Sequence, residues 1–156
     1  MQMRYVVGAL ILTLGASATI AQEDVVVQRR ALMRANNAAA ASLGAMIRGE
    51  APFDAAAAQK AMATIKDNGT KIAGLFPPPT PGAAPAPAGS PQATRALPAI
   101  WTANDDFKAR AAKLSADADA ASQAADKGLD AFKVAFTAMQ GTCNGCHGTY
   151  RGAAAP

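Results

Sequence analysis

One short segment near the end of the 156-residue chain constrains its fold more than any other, the pentapeptide Cys143-Asn144-Gly145-Cys146-His147. It contains both cysteines and the single histidine of the sequence. The spacing C-x-x-C-H is typical of covalent haem attachment, in which each thiol bonds to a vinyl group of the porphyrin and the imidazole binds the iron. On an α-helix, residues three and four positions apart share one face, so Cys143, Cys146 and His147 would project together. The chain is therefore predicted to fold around one haem c held by its last helix.

Three other roles for a cysteine pair fit this sequence poorly. A tetrahedral zinc site takes about four Cys or His ligands, and the chain has three such residues in all. A thioredoxin-like redox pair sits beside a βαβ pattern, and the sequence shows no strand pattern. A disulfide between positions 143 and 146 would close only a very short loop and leave His147 unexplained.

The first 21 residues have the order of a secretory signal peptide. Residues 1–5 carry one positive charge, residues 6–14 are apolar, and small residues lead to Ala21. The apolar stretch is too short to span a bilayer comfortably. We predict cleavage after Ala21, with Ala16-Ser17-Ala18 as the second choice and a retained membrane anchor as the alternative. The mature domain, residues 22–156, would then lie in the periplasm without a membrane span.

The composition of the mature chain indicates helices around a thin core. Alanine, the strongest helix former, dominates, whereas Leu, Ile, Val and Phe together contribute only 19 of 135 residues. Such scarcity can indicate disorder, but disordered chains also carry a high net charge. The formal charge falls from +4 for the full chain to only +3 for the mature chain, since Arg4 is lost. We therefore expect one domain in which the haem forms much of the core. Dispersed basic residues and few aromatics argue against nucleic-acid binding.

Apolar residues at spacings of three, four and seven predict four helices. Their expected ranges are 24–48, 55–75, 104–125 and 129–150. Residues 77–98 contain eight prolines and are predicted to form an extended crossover loop, because the halves on either side are too small for separate cores. Asp54 is a suitable N-cap for the second helix. Short turns at the other two junctions favour an all-α, antiparallel four-helix bundle.

With its haem motif at the C-terminal end of four helices, the chain resembles the class II c-type cytochromes, the cytochrome c′ superfamily. The resemblance covers essentially the whole mature chain, although the Pro-rich crossover is longer than the family pattern. Its matching pieces are, in order, Arg29-Arg30-Ala31-Leu32-Met33, Arg48-Gly49-Glu50-Ala51-Pro52-Phe53-Asp54, Ile100-Trp101 and residues 143–151.

The resemblance implies roles for residues that contact the haem. Cys143 and Cys146 would hold it through thioethers, and Arg29 of the first helix would approach a propionate. Arg151 would lie near the proximal imidazole. Trp101 would pack at the haem edge or, alternatively, close the bundle before the third helix.

The resemblance also implies that His147 is the proximal iron ligand, and the ligand on the other face separates two functions. A bis-histidine haem within one chain is excluded, because the sequence has a single histidine. Four methionines follow position 21, and Met139, eight residues before His147 on the same helix, should lie on the proximal side. By the resemblance, Met33 either bonds to the iron, as in low-spin c-556-like members, or packs over an open face.

A His/Met haem passes electrons with little reorganisation and resists small ligands, and its thioether raises the reduction potential. We therefore predict a periplasmic monohaem electron carrier that acts with a redox partner protein. The alternative is a five-coordinate, high-spin cytochrome c′ that binds NO or CO. A haem enzyme would need a distal acid–base group, and we expect no enzyme because no second histidine exists. Dimers through the first two helices are common in the superfamily, which leaves a homodimer open.

Overall fold

The computed structural model describes residues 16–78, 89–90 and 93–153, with side chains from residue 25 onward. Residues 1–15 of the predicted signal peptide lie outside this range, as do 79–88 and 91–92 of the predicted crossover. The helices are α1 (Ala16–Ser42), α2 (Gly44–Arg48), α3 (Ala55–Ile72), α4 (Ala99–Thr102), α5 (Asn104–Ala125) and α6 (Leu129–Tyr150). In the described residues the only β-type pairing is an isolated bridge between Ala96 and Arg151. The prediction of an all-α fold is confirmed.

The four long helices form an antiparallel bundle. Helix α3 packs against both α1 and α5, and α5 packs against α6. Within the described part of the chain, the backbones of α1 and α6 hardly approach each other. The bundle is therefore less tightly closed between its first and last helices, which carry the predicted distal and proximal haem residues.

Small residues bring the central helices together. An added Cβ at Gly69 of α3 would lie 2.5 Å from Ser115 Oγ of α5, and the Ser115 hydroxyl donates a hydrogen bond of 2.7 Å to the carbonyl of Lys66. The larger apolar cluster lies along α3, α5 and α6 and includes Phe132 and Met139, both at most 1% exposed. A smaller cluster of Ile100, Phe107 and Tyr150 closes one end.

The predicted helix boundaries agree with the structure for α5 and α6 and differ for the first helix. That helix was expected to run unbroken over 24–48, but it begins at Ala16 and ends at Ser42. The Ser42 hydroxyl donates to the carbonyl of Ala39 at 2.8 Å, and the next residue, Leu43, turns into the core at 1% exposure. Burial of Leu43 therefore accompanies a break that helical periodicity alone does not show.

The junction between α2 and α3 is set by local chemistry. Gly49 ends α2 in the left-handed region at φ 76°, which favours glycine. The Asp54 carboxylate accepts a hydrogen bond of 3.0 Å from the Ala57 amide, which confirms the predicted N-cap of α3. Among the described residues, no helix is both long and apolar enough to span a membrane.

Candidate haem site

Helix α6 carries the three residues of the haem motif near the end of the bundle closed by the smaller cluster. Cys143, Cys146 and His147 are all half-buried, and both thiols are free. Cys143 packs against the larger apolar cluster and Cys146 against the smaller one. Both thiols therefore lie against the apolar interior, where a porphyrin edge could meet them.

Burial shifts the pKa of all three residues of the haem motif. Burial raises the pKa of Cys143 and of Cys146, so both thiols are protonated at neutral pH. Burial lowers the pKa of His147, and the positive charges of Arg151 and Arg95 lower it further. The imidazole is therefore neutral at pH 7, with a ring nitrogen available to a metal.

The chain before α4 runs antiparallel to the residues that follow α6. The Gly152 amide donates to the carbonyl of Arg95 at 2.7 Å, and Arg95 Nε donates to the carbonyl of Gly152 at 2.8 Å. This pairing brings Arg95 to the end of α6, so that Arg95 and Arg151 both act on the imidazole of His147. Sequence reasoning identified Arg151 and missed Arg95, because no local pattern reveals a contact across 57 positions.

Arg29 is a buried cation near the same end of the bundle. It is 7% exposed, and its guanidinium donates to the carbonyl of Leu75 at 3.3 Å and to Thr94 Oγ1 at 2.9 Å. Its Cζ lies 4.3 Å from the ring centre of Phe76. None of the carboxylates in the described part of the chain forms a salt bridge with it. Because a buried charge is costly without a counter-charge, this arrangement suits an anionic group such as a haem propionate.

Trp101 lies beside the smaller apolar cluster, as does Cys146. Its indole Nε1 donates a hydrogen bond of 2.9 Å to the carbonyl of Pro77, at the start of the Pro-rich segment. These contacts are compatible with either predicted role, packing at the haem edge or closing the bundle before the third long helix. The shared cluster keeps Trp101 in the neighbourhood of the haem motif.

Met33 differs from the other described methionines. Met62 and Met139 are fully buried in the larger cluster, and Met46 packs against it, with its sulfur accepting from the Asp54 amide at 3.2 Å. Met33 is half-buried and belongs to neither apolar cluster of the described residues. It lies four positions after Arg29 and so shares a face of α1 with that buried cation.

These residues together fit a covalently bound haem. They supply two free thiols on one helix face and a neutral imidazole beside them. Among the described residues they also include a buried cation without a carboxylate partner and a methionine outside both apolar clusters. They belong mainly to α1 and α6, the two long helices that do not pack closely on each other. The donor set therefore satisfies both the covalent and the coordination chemistry of haem c.

Comparison with known proteins gives matches over most of the chain. A sequence profile for the family described as Cytochrome C′ matches residues 24–151. Cytochrome c′ of Rhodopseudomonas palustris is 36% identical over 151 residues, which cover 97% of each chain. Cytochrome c-556 of Agrobacterium fabrum is 36% identical over 124 residues, which cover 80% of this chain and 78% of that protein. The solved structure of Rhodopseudomonas palustris cytochrome c′ is similar with a TM-score of 0.72 at 32% identity, covering 85% of this chain and 98% of that chain.

Proposed function

The chain belongs to the cytochrome c′ family, and from this premise we propose that it is an electron carrier in which His147 and Met33 are the axial ligands of the haem iron. Family membership confirms the predicted resemblance and the predicted cofactor, one covalently attached haem c. It also confirms a monohaem c-type cytochrome as the kind of protein. When bound, the haem supplies one-electron chemistry at its iron.

The position of Met33 carries the proposal of His/Met ligation. A methionine in a protein interior commonly fills space between apolar side chains, as Met62 and Met139 do here. Met33 lies outside both apolar clusters of the described residues, although it shares a helix face with the buried Arg29. Its thioether therefore has no place in the apolar clusters of the described residues, and we propose that it bonds to the iron.

The covalent attachment is proposed to run through Cys143 and Cys146. Both thiols are reduced, half-buried and packed against the apolar clusters. Acid extraction of protein made in a maturation-competent host should leave the haem bound to the wild type. It should release the haem from the Cys143→Ser/Cys146→Ser double variant. Complete release from the wild type would contradict covalent attachment.

The surrounding residues are proposed to hold and tune the haem. Arg29 would bind a propionate, since it is buried and forms no salt bridge with a carboxylate of the described residues. Arg151 would lie near the proximal imidazole, because its charge already acts on His147. Trp101 would cover the haem edge next to Cys146, in the cluster that they share.

A second candidate function is the binding of NO or CO at a five-coordinate, high-spin iron. It is supported by the loose approach of α1, which carries Met33, to α6, which carries His147. It is also consistent with the name cytochrome c′ of one similar relative. In this alternative Met33 would only crowd an open face of the haem.

The cellular setting is part of the proposal. We place the mature chain, residues 22–156, in the periplasm after removal of a signal peptide over residues 1–21. It would act there with a redox partner protein and without a catalytic reaction of its own. The oligomeric state, a monomer or a homodimer through the first two helices, is decided by sedimentation of the holoprotein.

The axial ligands can be tested in the ferric protein. A methionine–iron charge-transfer band in the near infrared is expected for the wild type, and it should vanish in Met33→Leu. His147→Ala should abolish normal iron coordination even though the thioethers remain. A near-infrared band that persists in Met33→Leu would exclude Met33 as the ligand.

A further inference from the structure

Charged residues are divided unequally between the two ends of the bundle. The haem end consists of residues 25–36, 67–78, 93–111 and 143–153, and the far end consists of residues 37–66 and 112–142, where Lys66 pairs with Asp119 at 2.6 Å. Among the residues whose side chains the structure describes, eight Lys and Arg residues and three Asp residues lie at the haem end. The far end has six Lys and Arg residues against six Asp and Glu residues. The basic residues of the haem end are Arg29, Arg30, Arg34, Lys71, Arg95, Lys108, Arg110 and Arg151.

Hydrogen bonds between helices support this division. At the haem end, the Tyr150 hydroxyl of α6 donates to the Asp106 carboxylate of α5. At the far end, Gln59 of α3 donates to the Asp126 carboxylate after α5 at 2.8 Å. The positive charge is therefore concentrated at the end that carries the haem motif. The two propionates of a bound haem would remove only part of that excess.

Several cations at the haem end are exposed and unneutralised. Arg34, Arg95, Lys108 and Arg151 are exposed, and none of them forms a salt bridge with a described residue. They come from four parts of the chain: α1, the segment before α4, α5, and the residues after α6. The charge is therefore spread around this end and does not form a stripe along one helix.

The same end offers little apolar surface. Among the described residues, Val27 is the only large apolar side chain there that is exposed, at 40%. An interfacial membrane helix would present a broad apolar face beside its basic residues, and the haem end lacks one. A basic surface without an apolar centre suits a brief, electrostatically steered encounter with a protein of opposite charge.

We propose that the haem end is the docking surface for a redox protein with an acidic surface. The inference rests on the proposed electron-carrier function, since it identifies the kind of partner that brings or takes the electron. Attraction between the two surfaces would orient the partner toward the haem and raise the rate of encounter. Because these charges are exposed, the effect would weaken as salt is added.

The test measures electron transfer from an acidic protein of known chemistry. Flavodoxin hydroquinone, an acidic flavoprotein, gives one electron to the ferric chain, which yields flavodoxin semiquinone and the ferrous chain. The second-order rate constant is measured by stopped flow from about 0.01 to about 0.3 M ionic strength. A cationic cobalt(III) complex that oxidises the ferrous chain by one electron serves as the probe of opposite charge.

Two charge-matched double variants separate local charge from net charge. Arg34→Glu/Lys108→Glu reverses two exposed charges at the haem end, and Lys60→Glu/Lys127→Glu reverses two exposed charges at the far end. At low salt the haem-end variant should be reduced by flavodoxin about ten-fold more slowly than the wild type, and it should be oxidised faster by the cobalt complex. The far-end variant should change either rate constant by about two-fold or less. The reduction potential of each variant is also measured, so that the rate constants can be corrected for differences in driving force.

The outcomes separate this surface from its alternatives. Equal effects of the two pairs on flavodoxin, or a wild-type rate that rises with salt, would overturn the docking surface. Binding to phosphatidylglycerol vesicles is measured for the same variants. If the haem-end variant loses more of its vesicle binding than of its rate constant with flavodoxin, the surface is assigned to a membrane and the proposal is overturned. The comparison between the two variant pairs reports on surface charge and requires no particular sixth ligand. CO binding by the wild-type ferrous chain would therefore refute His/Met ligation while leaving this result standing.

Discussion

The guanidinium carbon of Arg29 lies 4.3 Å from the centre of the Phe76 ring, which places a buried cation of α1 against the segment that follows α3. Through Leu75 and Thr94 the same side chain also joins both ends of the Pro-rich crossover. Arg29 thus links α1 to the segments on either side of the residues that the structure does not describe. Its charge has no carboxylate partner among the described residues, and the proposed propionate would supply one.

Replacement of Arg29 should affect both stability and redox potential. Arg29→Met removes two hydrogen bonds from a charged donor, and we expect the free energy of unfolding of the holoprotein to fall by about 1.5–3 kcal/mol. The reduction potential should also fall, because loss of a nearby positive charge favours ferric iron. Urea denaturation and a redox titration measure the two effects. The control is Arg48→Met at the exposed far end; an unchanged potential in Arg29→Met would contradict the propionate role.

Removal of the Met33 thioether should open the distal face of the haem. In Met33→Ala, the ferrous protein is expected to bind CO, seen as a shift of its Soret band, because no other described methionine lies outside the apolar core. Met46→Ala is the matched control, since Met46 packs on the core near Asp54. Spectra and CO response identical to the wild type in Met33→Ala would remove Met33 as the ligand.

The close approach of α3 to α5 predicts that any side chain larger than glycine at position 69 lowers the stability of the bundle. In Gly69→Ala the new methyl group would lie 2.5 Å from Ser115 Oγ and 3.1 Å from the Ser115 amide nitrogen. We expect a loss of about 1–3 kcal/mol in the free energy of unfolding, as for other overpacked sites. Gly141→Ala on α6 meets no atom within 4 Å and should stabilise the helix by about 0.5–1 kcal/mol. Equal stability of the two variants would show that the helices can separate without cost.

The contact between Tyr150 and Asp106 predicts a pH dependence of stability. The hydrogen bond from the Tyr150 hydroxyl, with a second from Arg110, lowers the pKa of Asp106 below its ordinary value of 3.8. The stabilisation is therefore fully present above pH 3.8 and is lost as pH falls through the lowered pKa. The pKa of Tyr150 is raised above 10.0 by its bond to Asp106, so the contribution is also lost as pH rises through that raised pKa.

Asp106→Asn should remove the part of the pH dependence of stability that comes from this contact. Its stability deficit relative to the wild type should be greatest between the two titrations and shrink toward acid pH. Thermal unfolding followed by circular dichroism from about pH 2 to pH 8 measures the difference. Asp105→Asn is the neighbouring control, because Asp105 is exposed and makes no hydrogen bond through its side chain in the described part of the chain. A deficit that stays constant across this range would show that the contact does not couple to protonation.

The sequence predicts those parts of the fold that depend on local chemistry. The start of α6 follows Gly128, which has φ 97°, and the start of α3 follows the N-cap Asp54; both signals are visible in the sequence. The break at Leu43 is not visible in the sequence, because it accompanies the burial of Leu43 against residues far along the chain. Arg95 reaches the end of α6 through pairing with Gly152, and such tertiary contacts lie outside any pattern of spacing.

The most direct test of the account is the optical spectrum of the purified ferrous protein before and after the addition of CO. Ligation by His147 and Met33 predicts a low-spin spectrum with sharp bands that CO leaves unchanged. A high-spin spectrum that shifts promptly with CO would contradict this ligation and assign the chain to the gas-binding function.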